Sequence, residues 1–428
     1  MNLEMLLALV LVLLVCILIG LPIGYALLIC SVSIILIFDV VGLSTIPATL
    51  FNSLNSFSLT AIAFFILAAN IMDRGNLMQS IVNVSRNIFS RIRGGLGMAM
   101  MVTCSVFAAM CGTSVASAAA IGKMGIPLME REKYPKAFAA ATLASGGTIG
   151  ILIPPSLSFI LIGNLINENI SKLFVAGIVP GILQTLLLCI CIYIVSRKNN
   201  YGTLNTRYVV SKEDKAKAMW AAIMPVIVLG GIYLGVFTPT ETAAVSVMYA
   251  FVVVTFIYRA VNYKELMAVI LDSAKMTANL LVILAGASLF GLVLTYSGLP
   301  QQLVSLVTDS SMPVWVFFVL MTLVMLALGC IVDGTTQTVI AVPILWPIAQ
   351  HYGINPFAFA VYVVATVELA TLTPPVGMNL FVVTGISKEP ISRVVHHLVP
   401  FFVTQLITIV IFALFPQLST VLVSLMRK

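Results

Sequence analysis

Charge is scarce in this 428-residue chain: 9% of its residues are Asp, Glu, Lys or Arg, against 61% hydrophobic. So few polar groups cannot cover a water-soluble surface, which excludes a soluble globular protein and leaves a polytopic membrane protein. The longest polar interval, 197–219, is too short to fold as a domain, and no ATP-binding motif occurs. Histidine is limited to His351, His396 and His397, near span ends and without partners for a nucleophile, base or metal constellation, so no enzyme is expected. The seven cysteines (16, 30, 104, 111, 189, 191 and 330) show no C-x-x-C or Cys/His spacing, which excludes a zinc site and reads as small core residues. The net charge of +7 sits in loops and points to no nucleic acid.

What remains is apolar. The stretches 5–37, 56–72, 137–166, 173–196, 220–237, 241–258, 276–297, 355–386 and 398–425 each supply the roughly 20 apolar residues of a crossing helix. Residues 1–21 lack a basic leader and a small-residue cleavage site and read as a retained first helix. Lys and Arg gather in 86–93, 123–136, 197–217, 259–275 and 388–393 and are missing from 276 to 387, so these linkers are expected on the cytoplasmic side. Segment 95–122 is flanked by basic linkers at both ends and is expected to enter and leave from the cytoplasm, a re-entrant hairpin with Cys111–Ser117 at its tip. Segment 313–349 has no positive flank and is expected to dip in from outside, making the two halves inverted repeats. Both termini are expected outside, although Arg427-Lys428 runs against this. Trp220, Trp315 and Trp346 read as interfacial anchors, and Lys123, Glu130, Arg131, Glu132 and Lys133 as a solvated cytoplasmic face.

The repeat is also visible in the peptide grammar. Cys111-Gly112-Thr113-Ser114 leads to Pro154-Pro155, and Asp333-Gly334-Thr335-Thr336 leads to Pro374-Pro375, with Gly-to-Pro separations of 42 (112 to 154) and 40 (334 to 374). Gly75 to Gln79 overlays on Gly298 to Gln302 at an offset of 223 (75 to 298), and both follow a span as amphipathic arms. Non-helical backbone at membrane depth is tolerated only where protein or water satisfies it, so each break is either a site or closely packed. One candidate Na⁺ site joins Gly112, Thr113 and Ser114 to Gly147, Thr148, Gly150 and Pro154. The other joins Gly334, Thr335, Thr336 and Thr338 to Thr371, Thr373 and Gly377. Hydroxyls and freed carbonyls are hard oxygen donors suited to an alkali cation, and about two Na⁺ ions are expected, with no organic cofactor. The competing reading is that small residues only pack helices closely and proline only kinks them. Asp333 and Glu368 are possible coupling carboxylates. Asp333 also fits a helix N-cap, and Glu368 also fits a polar pocket away from any ligand.

With Gly112-Thr113-Ser114, Ile153-Pro154-Pro155-Ser156, the stretch Gly235-Val-Phe-Thr-Pro-Thr-Glu241-Thr-Ala-Ala-Val245 and Thr371-Leu-Thr-Pro-Pro-Val-Gly377 in place, the chain resembles the large membrane subunit of tripartite ATP-independent periplasmic (TRAP) transporters over essentially its full length. Thr242 stands where the family usually has Ala. The resemblance implies an all-α, elevator-type fold in the bacterial inner membrane with two re-entrant hairpins and two broken helices. It implies Na⁺-driven uptake of an organic acid, such as a C4-dicarboxylate or sialic acid, delivered by a periplasmic substrate-binding protein. It also implies a small four-helix membrane subunit as partner, expected in trans. Mapped on this chain, 1–73 would be scaffold, 74–93 an arm, 94–170 the first half of the transport domain and 171–275 scaffold. Then 276–309 would be a span and arm, 310–388 the second half of the transport domain and 389–428 a C-terminal scaffold helix. A stand-alone Na⁺/carboxylate symporter of the divalent-anion type is the alternative, although that type usually carries Ser-Asn-Thr at its tips.

Overall fold

The computed structural model describes residues 3–75, 77–202, 210–330, 332–374 and 377–426, and all regular elements among them are helices. The chain opens with α1 (Leu3–Leu18) and α2 (Ile23–Phe38). The apolar stretch 5–37 is therefore two packed helices and not one span. Gly20 turns at φ +82° between them, and Pro22 cannot continue the hydrogen-bond ladder of α1.

After α3 (Thr45–Leu54) comes a series of seven: α4 (Phe57–Arg74), α5 (Leu77–Phe89), α6 (Gly95–Cys111), α7 (Ser114–Arg131), α8 (Lys136–Thr148), α9 (Leu157–Ile166) and α10 (Ile170–Asn199). Two helices follow, α11 (Lys212–Tyr233) and α12 (Pro239–Val252), the latter continued by a π turn to Ile257. The series then recurs as α13 (Tyr263–Tyr296), α14 (Leu299–Asp309), α15 (Val314–Gly329), α16 (Gly334–His351), α17 (Pro356–Ala370), α18 (Met378–Ser387) and α19 (Ile391–Leu414). The last element is α20 (Gln417–Leu425). In both series a long helix leads into an arm, a helical hairpin, two half-helices and a second long helix. Among the described residues six helices are long and apolar enough to cross a membrane: α4, α10, α11, α12 with its π turn, α13 and α19.

Local signals set the helix starts. Asn262 and Glu265 form a capping box that begins α13, and Thr238 and Glu241 form one at α12, with Pro239 in its first turn. Because α13 begins there and runs unbroken, the boundary expected at 275/276 divides no elements. Lys264, Asp272 and Lys275 ride on the helix itself, at an end that reaches beyond the apolar stretch. The C-terminal region is likewise two helices rather than one, broken at Phe415-Pro416. Arg427-Lys428 lies outside the described residues.

Packing interlocks the two series. α12 lies along α4, and α13 crosses α2 where a Cβ on Gly286 would stand 2.6 Å from the Gly24 carbonyl oxygen, so only glycine lets the backbones meet. The half-helices change places: α9 packs on α16 of the second hairpin, and α18 packs on α7 and α8 of the first series. Two surface expectations differ from the structure. Glu132 is not a solvated group but pairs with Arg86, tying the arm α5 to the end of the first hairpin. Trp346 packs against Phe359, ring centres 5.1 Å apart and planes tilted by 44°, so it serves internal packing rather than interfacial anchoring.

Candidate functional site

Each hairpin tip rests on the break of its own series. At the first tip, Gly112 ends α6 at φ +68° and Thr113 is extended. The Gly112 carbonyl accepts from Leu157 N at 3.3 Å, across the break between α8 and α9. A Cβ on Gly112 would lie 2.6 Å from the Pro155 carbonyl oxygen, and one on Gly150 would lie 2.5 Å from the Thr113 carbonyl oxygen. Gly112, Thr113 and Gly150 thus converge, with backbone oxygens of Thr113 and Pro155 facing the turn. Ser114 is buried in the first turn of α7, and Gly147 lies deeper, against Ala118. Pro154 is buried, but Pro155 is the residue whose carbonyl faces the tip.

At the second tip, Asp333 begins α16. Its carboxylate accepts from Thr335 N at 3.0 Å, Thr336 N at 3.2 Å and the Thr336 hydroxyl. A Cβ on Gly334 would meet Val367 Cγ1 at 2.7 Å and Thr371 Cγ2 at 3.4 Å, so this tip sits on the end of α17. Gly377 has φ +33°, and its Cβ position lies 3.0 Å from the Thr373 carbonyl oxygen and 3.3 Å from that of Thr371. The hydroxyls of Thr338, Thr371 and Thr373 each donate to a carbonyl of their own helix, to Gly334, Glu368 and Leu369. A ligand at these three hydroxyls therefore meets their lone pairs, which accept. Pro375 lies outside the described residues.

The helix starts divide into two kinds. α16 is capped by Asp333, and α9 by Ser156, whose hydroxyl accepts from Phe159 N at 3.4 Å. α7 and α18 begin at Thr113 and Gly377 with no side-chain cap. The capped pair packs together, and so does the uncapped pair. α7 and α18 also run in the same direction. Ala118 of α7 and Asn379 of α18 both lie against α8, at Gly147 and Ala144, and a Cβ on Gly122 of α7 would touch Ile386 and Val383 further along α18. Two helix N-termini, each carrying about half a positive charge, therefore stand side by side.

Three residues absent from the sequence reading hold these parts together. Asn379 donates its backbone N–H to the Thr371 carbonyl at 3.2 Å and its side-chain amide to Ala144 O at 3.3 Å, bridging the second break to the helix before the first. Gln405 of α19 donates to the Thr148 hydroxyl at 2.8 Å, and Gln184 of α10 donates to the Glu368 carboxylate. Thr148 is therefore engaged toward α19, while Glu368 is buried against α10. These two braces match: 148 to 368 is an offset of 220, and 184 to 405 is 221, the spacing of the repeat itself. That spacing, and the rarity of amides in apolar stretches, were the signals available in the sequence.

Comparisons with known proteins agree with this architecture. Residues 10–418 match the family model described as "Tripartite ATP-independent periplasmic transporter, DctM component". The chain is 36% identical over 391 residues to the C4-dicarboxylate TRAP transporter large permease protein DctM of Pseudomonas aeruginosa, covering 91% of each chain. It is 33% identical over 401 residues to the 2,3-diketo-L-gulonate TRAP transporter large permease protein YiaN of Escherichia coli, covering 94% of each. It is 30% identical over 408 residues to the sialic acid TRAP transporter large permease protein SiaM of Vibrio cholerae, covering 94% and 95%. In fold it is similar to the YdaH transporter of Alcanivorax borkumensis, with a TM-score of 0.64 at 15% identity over 89% and 90% of the two chains. A multi-pass helical chain whose relatives are permease subunits and not enzymes, it belongs to the DctM component family of tripartite ATP-independent periplasmic transporters.

Proposed function

We propose that this chain is the large permease subunit of a Na⁺-coupled uptake system for an organic acid in the bacterial inner membrane. The observation that carries this reading is the sorting of the helix starts. The uncapped, parallel N-termini of α7 and α18 offer positive ends to a carboxylate. The carbonyls around Gly112, Gly150 and Gly377 offer oxygens to cations. A substrate anion beside Na⁺ is the combination such broken helices accommodate. The named substrates of the three relatives, a C4-dicarboxylate, a diketogulonate and a sialic acid, are all carboxylates.

Each Na⁺ entering across about 100 mV contributes roughly 2.3 kcal/mol, so two ions supply about 4.6 kcal/mol, enough for roughly a thousandfold accumulation of a neutral solute. An anionic substrate gives up part of that driving force. The two series are inverted repeats, and the body that moves is an elevator built on the hairpins and broken helices. The glutamine braces link α10 and α19 to that body. A small four-helix subunit and a periplasmic binding protein complete the system.

The test is uptake of labelled succinate and sialic acid into proteoliposomes holding this chain with its small partner, with and without an inward Na⁺ gradient and the binding protein. Uptake that needs all of them is expected. Gradient-driven uptake by this chain alone would establish the stand-alone symporter instead.

A further inference from the structure

A cavity of about 520 Å³ opens where the linker between α5 and α6 meets the end of α10, lined by Arg91, Ile92, Arg93, Tyr193, Arg197 and Asn200. Three arginines line it and no carboxylate does. Among the described residues none of the three has an acidic partner: Arg93 donates to the Asn200 side chain, Arg197 to Tyr193 Oη at 3.0 Å, and Arg91 to nothing. Arg197 also lies over the Tyr193 ring, 5.9 Å from its centre, which holds the guanidinium in place. The linker is fixed beside it, because a Cβ on Gly94 would stand 2.9 Å from Ser196. Unbalanced positive charge held in a pocket calls for an anion.

What lies next to the pocket says which anion. Ile182, Leu186, Ile190 and Ile194 of α10 are each more than half exposed and recur every fourth residue, so they form one apolar stripe along the helix. Arg197 is the next position on that face, and exposed Ile92 lines the pocket on the linker side. A stripe suited to an acyl chain thus ends at a cluster suited to a phosphate. The repeat does not demand the cluster. At the offset of 222 between the two tip glycines (112 to 334), Arg91 and Arg93 correspond to Pro313 and Trp315, so the second series is uncharged at this corner. The basic residues mark one membrane face, the cytoplasmic one by the positive-inside rule, where anionic headgroups are bound by such pockets.

From this juxtaposition we infer that the pocket of Arg91, Arg93 and Arg197 is a binding site for an anionic phospholipid, its headgroup phosphate in the pocket and an acyl chain along the α10 stripe. The test is native mass spectrometry of the full chain taken from vesicles of phosphatidylcholine mixed with phosphatidylglycerol. Wild type should retain phosphatidylglycerol and not phosphatidylcholine. The triple variant R91Q/R93Q/R197Q should bind it roughly 100-fold more weakly, and R91Q alone, at an exposed residue without partners, about fivefold more weakly. The control R259Q/K264Q, in the basic region at the start of α13, should bind as wild type does. Should the triple variant fail to fold, R91Q decides. The inference is overturned if R91Q and the folded triple variant retain phosphatidylglycerol as wild type does, or if phosphatidylcholine is held equally well. It is also overturned if soluble glycerol phosphate at the same concentration displaces the lipid, which would make this a site for free phosphate.

Discussion

The two hairpin tips make the same turn by different means. The first uses backbone alone: a left-handed Gly112, an extended Thr113, and glycines that let carbonyl oxygens approach within contact distance. The second spends a carboxylate on it, Asp333, which occupies the first amides of α16. The difference is one of electrostatics. Capping with a carboxylate cancels a helix's positive end, and leaving it bare preserves that end for a ligand. Crossed half-helices then pair the two starts that lack a side-chain cap, α7 and α18, and the two that have one, α9 and α16, and in α18 the Asn379 amide is taken by the Thr371 carbonyl.

The strongest way to separate the tips is to add one methyl to each turning glycine. Gly112→Ala meets a backbone oxygen in left-handed geometry, so strain and overpacking together should cost about 2–5 kcal/mol and abolish uptake. Gly334→Ala keeps an ordinary backbone but meets Cγ1 of the buried, β-branched Val367, so overpacking alone should cost about 1–3 kcal/mol. Thermal unfolding of the two variants in detergent, beside their uptake rates, measures this; equal losses would remove the distinction. Next in size is Thr113→Asp, which gives the first tip the cap of the second. With the α7 end neutralised, the substrate KM should rise about 30-fold, as uptake kinetics would reveal.

Removing the amide partner in Gln184→Leu leaves the buried Glu368 carboxyl without its hydrogen bond and should cost about 1–3 kcal/mol. Gln405→Leu, where only a threonine hydroxyl loses its partner, should cost about 1 kcal/mol, and chemical denaturation can rank the two. The smallest effect belongs to Asp333 itself. Asp333→Ala should lose about 1 kcal/mol of capping, and Asp333→Asn should recover most of it. If Asp333→Asn instead raises the Na⁺ concentration for half-maximal uptake, the carboxylate serves the cation as well as the helix.

Much of the fold was legible because membranes simplify sequence. Lipid allows few backbone forms, so Gly112-Thr113 and Asp333-Gly334 between apolar arms could hardly be anything but turns, and Gly112 does end α6 while Asp333 does begin α16. Hydropathy cannot show where a helix stops within an apolar stretch. That is why 5–37 conceals a break at Gly20 and why α13 begins well before its apolar stretch. The candidate site was legible in its glycines and less so in its partners. Thr148 falls within the expected oxygen set, yet its hydroxyl is taken up by Gln405, a contact 257 residues away that no local pattern announces. Asn379 was missed for the same reason: its role depends on where α8 lies in space.

The crossed half-helices also govern how the protein can be made. Helix α7 leaves the ribosome long before α18, its packing partner, exists. At ordinary synthesis rates the delay is on the order of tens of seconds. Throughout it the first hairpin sits in the membrane with its glycine cradle uncovered, so the first half is a waiting template rather than a finished domain. A chain that stops short of Met378 would leave that template open for good, exposed to whatever cellular machinery removes unfinished membrane proteins.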